Sequence, residues 1–294
     1  MSTRYYLYMF KTLKHLSLWS VLAVLVGMGL LLVFYSTAVQ SSAPAPRLYI
    51  ASSTLPVLSA QSAFVVDVAT GQEIYAKDPD TQRPVASVTK LLSSAMFYEY
   101  ATGTDTATVS AGDVATEGRS GRLSAGDQYQ NQELLFPVLL ESSNDAASTM
   151  GRVAPVNLVD SMNAYTQEQQ LHQTSFADTS GLSSENISTA RELSALGIAL
   201  HKEYPHVFDI TQLRQYLNHV NAWMNNSPFA DEDAYAGGKH GYTYEANRTA
   251  IAFFNETLAS GAARQLVYVL LGSDDLALDT QTLRNYVQQT VDFK

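Results

Sequence analysis

The chain reads as an α+β protein: an antiparallel β-sheet formed from both chain ends, flanked by helices, with an inserted helical lobe and an N-terminal transmembrane helix. Three observations predict this. Strand-like apolar runs occur early and late, while the middle carries apolar residues at helical spacing. A run of 20 mostly apolar residues without a charge precedes them. A 294-residue chain that is 46% hydrophobic and has no cysteine is neither collagen-like, a disulfide scaffold nor wholly disordered.

The elements follow in order. Residues 1–15 form a short basic tail containing Arg4, Lys11 and Lys14. Residues 16–35 (LSLWSVLAVLVGMGLLLVFY) are long enough as a helix to cross a hydrocarbon layer of roughly 30 Å. Trp19 and Tyr35 stand near the ends of this run, where amphipathic rings favour the headgroups. Basic charge on the N-terminal flank keeps the tail in the cytoplasm and sends the rest outside, which predicts a single-pass membrane protein with an extracytoplasmic body. The absence of cysteine fits an exported bacterial protein, and so a bacterial cell membrane. A cleaved signal peptide competes, because Ser36-Thr37-Ala38 offers a small-x-small site, but the run exceeds the roughly 7–15 residues of a signal core. Residues 36–58, with the tract QSSAPAP, read as an extended spacer, and residues 59–294 as one catalytic domain.

Within that domain, residues 63–68 and 73–76 read as two strands joined by a turn at Thr70-Gly71. Residues 88–100 predict a helix with Val88, Leu91, Leu92, Ala95 and Met96 on one face. Further helices are expected over 131–140, 144–153, 156–170 and 189–204, then strands over 234–241, 249–254 and 265–271. A closing helix over 279–291 shows Leu283, Tyr286 and Val287 on one face.

Charge narrows the partners. The formal net charge is −10, and residues from Arg47 onward hold 15 basic against 28 acidic residues, or −13. Such a body would gather like charge on a phosphate backbone, so nucleic acid is not an expected partner. Thiolate metal sites are impossible, and the six histidines show no H-x-x-x-H or H-E-x-x-H spacing, so neither a metal nor another cofactor is expected.

Three short motifs carry possible chemistry. Ser87 and Lys90 lie three apart at a helix start, on one face, so a desolvated lysine amine can take the proton of the serine hydroxyl. Alone this S-x-x-K is weak: about one is expected per chain of this size, and a capping serine with a solvated lysine is the more ordinary explanation. Ser142 and Asn144 stand two apart between helical stretches; both can face a cleft, or both can serve as helix caps. Gly237-Gly238-Lys239-His240-Gly241-Tyr242 ends a strand, where glycines admit a second backbone and Lys239 offers charge to a carboxylate.

In this order and spacing the three motifs resemble those of the serine D-alanyl-D-alanine carboxypeptidases, the low-molecular-weight penicillin-binding proteins, which carry S-x-x-K, S-x-N and K-T/S-G. Residues 117–127 (EGRSGRLSAGD), 133–147 (ELLFPVLLESSNDAA) and 176–191 (FADTSGLSSENISTAR) share the likeness, which spans about residues 59–272. The resemblance implies a β-lactamase/DD-peptidase-like fold and attack on the D-Ala-D-Ala end of peptidoglycan stem peptides, with β-lactams as covalent inhibitors. It makes Ser87 the acylated nucleophile, Lys90 its base, and Ser142 the proton shuttle to the leaving amine. Asn144 would hold the substrate amide, and Lys239 with His240 the terminal carboxylate. Gly241 would lie along the substrate, and the N–H groups of Ser87 and Tyr242 would form the oxyanion hole. The 51 residues after Thr243 are too few for the extra β-rich domain that some members carry before a C-terminal anchor, so the N-terminal helix is expected to replace that anchor.

One position departs from the pattern. His240 stands where the family has Thr or Ser; imidazole also donates to a carboxylate, but it is larger and gains charge in mildly acid surroundings. Altered substrate fit or pH dependence is expected. Arg248 reads as a solvent-facing arginine, with assistance in carboxylate binding as the alternative. No E-x-x-L-N segment of the β-lactamase type lies between the second and third motifs, which predicts slow release of bound penicillin. A D,D-endopeptidase acting on cross-links with the same residues, and a catalytically impaired wall-binding homologue, are the competing functions.

Overall fold

The computed structural model describes residues 48–50, 54–101, 105–118 and 121–293. The uncharged run at 16–35 lies outside them, and no described helix is long and apolar enough to cross a membrane.

The chain opens with β1 (Leu48–Ile50), β2 (Ser62–Asp67), β3 (Glu73–Lys77) and β4 (Arg83–Pro84). A 3-10 turn, Ala86–Val88, then enters α1 (Thr89–Tyr98). The helical lobe follows, with β5 (Thr106–Thr108), α2 (Ala111–Val114), β6 (Gln128–Gln130), α3 (Asn144–Val153) and α4 (Leu158–Glu168). After β7 (Ile187–Ser188) come α5 (Ala190–Glu203), α6 (Pro205–Gln212), and the short pair β8 (Gln215–Leu217) and β9 (Ala222–Met224). Three long strands, β10 (Tyr235–Thr243), β11 (Asn247–Thr257) and β12 (Ala263–Ser273), lead to α7 (Leu276–Thr290) and β13 (Val291–Phe293).

The five-stranded sheet has the order β10-β11-β12-β2-β3 and is antiparallel throughout. Early and late strands therefore share one sheet, with the helical lobe between them in sequence, as the order of elements predicts. Both sheet faces are covered, so alternate residues of one strand enter different cores. Phe64, Val66, Ile251, Phe253, Val267 and Val269 pack with Leu91 and Leu92 of α1 and with Leu193, Leu196 and Leu200 of α5. On the other face Ala63, Val65, Phe254, Tyr268 and Leu270 meet Leu283, Tyr286 and Val287 of α7. Burial of each large side chain contributes about 1.5–3 kcal/mol relative to exposure.

Two expectations need correction, and one helix was not expected. Residues 48–50, inside the spacer expected over 36–58, pair with 291–293, and the carbonyls of Leu58 and Ala60 accept Lys77 Nζ at 3.0 and 2.6 Å. The folded body thus starts before residue 59. The helix expected over 131–140 is instead a 3-10 turn, Asn131–Leu134, followed by a π-helical turn, Pro137–Glu141. Pro137 has no N–H to continue an α ladder, and its carbonyl accepts the N–H of Ser143 at 3.0 Å, closing a wider turn. Finally, the helix ending near Tyr204 is followed at once by α6, because Pro205 occupies a first-turn position where the missing N–H costs nothing.

Candidate active site

Ser87 stands in the 3-10 turn that starts α1, just after a residue in a rare conformation: Ala86 has φ +49°, a left-handed geometry costing an L-residue about 1–2 kcal/mol. The surroundings hold it there. Thr89 Oγ1 donates to the Ala86 carbonyl and Thr249 Oγ1 of β11 to the Val85 carbonyl, each at 2.8 Å. Lys90, one helical turn on, is fully buried, and its Nζ lies within hydrogen-bonding distance of three oxygens: Ser87 Oγ at 2.9 Å, Asn144 Oδ1 at 2.7 Å and the Ser180 carbonyl at 2.5 Å.

The second motif divides its duties by position. Ser143, the middle residue, caps α3: its Oγ accepts the N–H of Ala146 at 3.0 Å. Its neighbours are thereby released from capping. Ser142 ends the π turn with φ +63° and faces the cleft, and Asn144 begins the helix with Oδ1 on Lys90 and Nδ2 donating to the Glu117 carbonyl at 2.8 Å.

The third motif lies on β10, the edge strand. Lys239 is buried, and its Nζ donates to the His240 carbonyl at 2.7 Å. Gly241 passes so near Ser87 that a Cβ there would sit 2.5 Å from the Ser87 nitrogen, so any side chain would push the strand off the nucleophile. Together these elements enclose a cleft of about 460 Å³ lined by Ser87, Ser142, Asn144, His240, Gly241 and Tyr242 from the motifs, joined by Gly118, Gly181, Leu182 and Thr243. The volume suits a small-molecule or peptide-terminus site. No carboxylate is among these lining residues, and the buried amines of Lys90 and Lys239 stand behind them, so the cleft favours an anion.

The structure therefore gathers all three motifs, with Lys90 and Lys239 behind the cleft surface instead of on it. Arg248 is exposed; its Nη1 donates to the Asp274 carbonyl at 2.9 Å, and its guanidinium lies 5.6 Å from the Tyr242 ring centre. What the motif reading lacked are Gly118, the Glu117 carbonyl and the 180–182 segment. They belong to stretches 117–127 and 176–191, whose likeness to the family was the only available signal, since backbone contributions leave no residue signature. Among the described residues no group of three or more His, Asp or Glu is placed to hold a metal ion.

The chain is similar to known proteins in sequence and in fold. A model of the peptidase S11 family, D-alanyl-D-alanine carboxypeptidase, matches residues 50–274. The chain is 32% identical over 178 residues to the D-alanyl-D-alanine endopeptidase of Pseudomonas aeruginosa, covering 58% of this chain and 55% of that one. It is 27% identical over 219 residues to the D-alanyl-D-alanine carboxypeptidase DacA of Escherichia coli K12, covering 69% and 54%. The chain thus spans about half the length of these relatives. In fold it is similar to the D-alanyl-D-alanine carboxypeptidase of Mycobacterium tuberculosis H37Rv, with a TM-score of 0.73 at 24% identity over 80% of this chain and 93% of that one. The Streptomyces K15 DD-transpeptidase gives 0.72 at 21% identity, over 79% and 98%. With the family match covering about three quarters of its length, the chain belongs to the peptidase S11 family.

Proposed function

We propose that the chain is a serine D-alanyl-D-alanine carboxypeptidase held at the outer side of a bacterial cell membrane by residues 16–35, with 1–15 cytoplasmic and the folded body outside. The contact that carries this reading is Lys90 Nζ to Ser87 Oγ at 2.9 Å, in a cleft that favours a carboxylate. The neutral amine of Lys90 takes the Ser87 proton as Oγ attacks the carbonyl of the penultimate D-alanine. The N–H groups of Ser87 and Tyr242 face the developing oxyanion. Collapse breaks the C–N bond, Ser142 passes a proton to the leaving amine, and D-alanine departs; water then hydrolyses the ester. Asn144 keeps one Nδ2 hydrogen on Glu117 and has a second for the substrate amide. Lys239 and His240 receive the terminal carboxylate, and β-lactams acylate the same serine.

A second reading, D,D-endopeptidase cleavage of cross-links, is supported by the likeness to the Pseudomonas endopeptidase and uses the same residues. One experiment addresses both. A fluorescent penicillin should label a band in the membrane fraction that disappears in Ser87→Ala, and mass spectrometry of muropeptides incubated with the protein should show stems shortened by one alanine. Opened cross-links would favour the endopeptidase. Absence of label on folded protein would overturn the serine-acylation reading.

A further inference from the structure

Asp178 does not line the cleft, yet its carboxylate sits inside the turn that brings Ser180 to Lys90. Oδ1 accepts the backbone N–H groups of Ser180 at 2.7 Å and Gly181 at 2.6 Å, and the Ser180 hydroxyl at 3.0 Å. Oδ2 accepts the Ser183 N–H at 2.7 Å and Asn186 Nδ2 at 3.1 Å. Burial alone opposes a charge at this place, but the N–H groups of Ser183, Gly181 and Ser180 outweigh it and hold the carboxyl below the usual range. The same turn grips the nucleophile. The Asn186 carbonyl accepts the Val85 N–H at 2.9 Å, and a Cβ at Gly181, whose φ is +88°, would fall 2.0 Å from the Ala86 oxygen. One carboxylate therefore organises a peptide segment that touches both halves of the Ser87–Lys90 pair.

We propose that Asp178 is a positioning residue for Lys90: by fixing the 178–186 turn it aims the Ser180 carbonyl at the Lys90 amine and so turns the amine's lone pair toward Ser87. A neutral amine has two N–H donors and one lone pair. Asn144 Oδ1 and the Ser180 carbonyl are acceptors only, whereas the Ser87 hydroxyl can donate. With both donors directed to the acceptors, the lone pair falls on the serine proton. If the Ser180 carbonyl swings away, one of the two acceptors that orient the amine is lost and its aim at Ser87 loosens, although Asn144 Oδ1 remains. Asp178 puts no atom of its own into the cleft; Gly181 and Leu182 of its turn do line it, so binding is expected to change less than the rate.

The proposal rests on Lys90 acting as the base, and its test keeps the two ideas apart. Acylation of the full chain by a fluorescent penicillin is followed against label concentration, which separates the limiting rate from the binding constant. Asp178→Ala is expected to lower the limiting rate about 10- to 100-fold, within the range lost when a catalytic group is misplaced, with the binding constant changed less than about twofold. Asp178→Asn keeps an acceptor for Ser180 and Gly181 and should recover to about three- to tenfold below the unmodified protein. A folded Asp178→Ala that reacts at the full rate, or that loses binding instead of rate, overturns the proposal. Should Asp178→Ala not fold, Asp178→Asn decides: an unchanged limiting rate overturns the positioning role, and a lower one with unchanged binding supports it. Failure of the unmodified chain to label would count against the serine mechanism as a whole.

Discussion

Ser143 spends its hydroxyl on the helix and thereby leaves Ser142 and Asn144 to the cleft. Any serine or asparagine in Glu141-Ser142-Ser143-Asn144 has the chemistry of a cap, and only the start of α3 at Asn144 selects the middle one. His240 poses the opposite problem, a residue whose chemistry differs from its family's pattern while its place does not. It lines the cleft where a hydroxyl residue is usual, and an imidazole gains its charge between about pH 5 and pH 8. His240→Thr is therefore expected to flatten the pH profile of D-alanine release in that range and to change KM for the stem peptide. Identical profiles for both proteins would remove any special role for histidine.

At the scale of elements, α3 must be held steady because its first turn carries Asn144. Asp113 of α2 does part of this. Its carboxylate accepts Arg152 Nη2 of α3 at 2.6 Å, Ser148 Oγ at 2.9 Å and the Ser110 N–H at 2.8 Å. Burial pushes the Asp113 carboxyl up, but the hydrogen bonds from Arg152 and Ser110 outweigh it and hold it at about 2. A carboxyl lowered in the folded state stabilises the fold above its unfolded pKa, and that stabilisation fades as pH falls from about 4 through about 2. Since Arg152 is partly exposed, the contribution is discounted to about 1–2 kcal/mol. Asp113→Asn should lower stability by that amount at pH 7 in denaturant titration, and the gap should close below pH 4. A gap that persists at pH 2 would assign the effect to packing instead.

Across the whole molecule, the sheet separates the chemistry from a buried ionic cluster. On the α7 side Arg284 donates through Nε to Glu256 at 2.6 Å and pairs with Glu232, while its guanidinium lies 4.1 Å from the Phe254 ring centre. Gln288 Nε2 donates to the other Glu256 oxygen at 2.6 Å, and both Arg284 and Glu256 are buried. A buried charge that loses its partner costs about 3–5 kcal/mol. Arg284→Met should accordingly lose stability on that scale in chemical unfolding at pH 7. Penicillin acylation per folded molecule should stay unchanged, because the cluster and the cleft lie on opposite faces; a matching loss of acylation rate would show that the two faces are coupled.

Periodicity and breakers were sufficient for the strands at both chain ends, for helix 144–153 and for the Ser87–Lys90 pair, because each depends on neighbours a few residues apart; that the early and late strands share one sheet followed only from the order of the elements. Strand alternation and the i, i+3 relation are properties of local backbone geometry. Pairings such as β4 with β7, β5 with β6 and β8 with β9 were not legible: each strand has two or three residues, too few to show a period, and partners for β4 and β7 are about 100 residues apart. The Ser180 carbonyl on Lys90, the Glu117 carbonyl on Asn144 and the turn around Asp178 were hidden for a different reason. Every residue owns a carbonyl and an N–H, so residue types show which side chains are able to react, whereas the packing of distant segments settles which backbone atoms aim them.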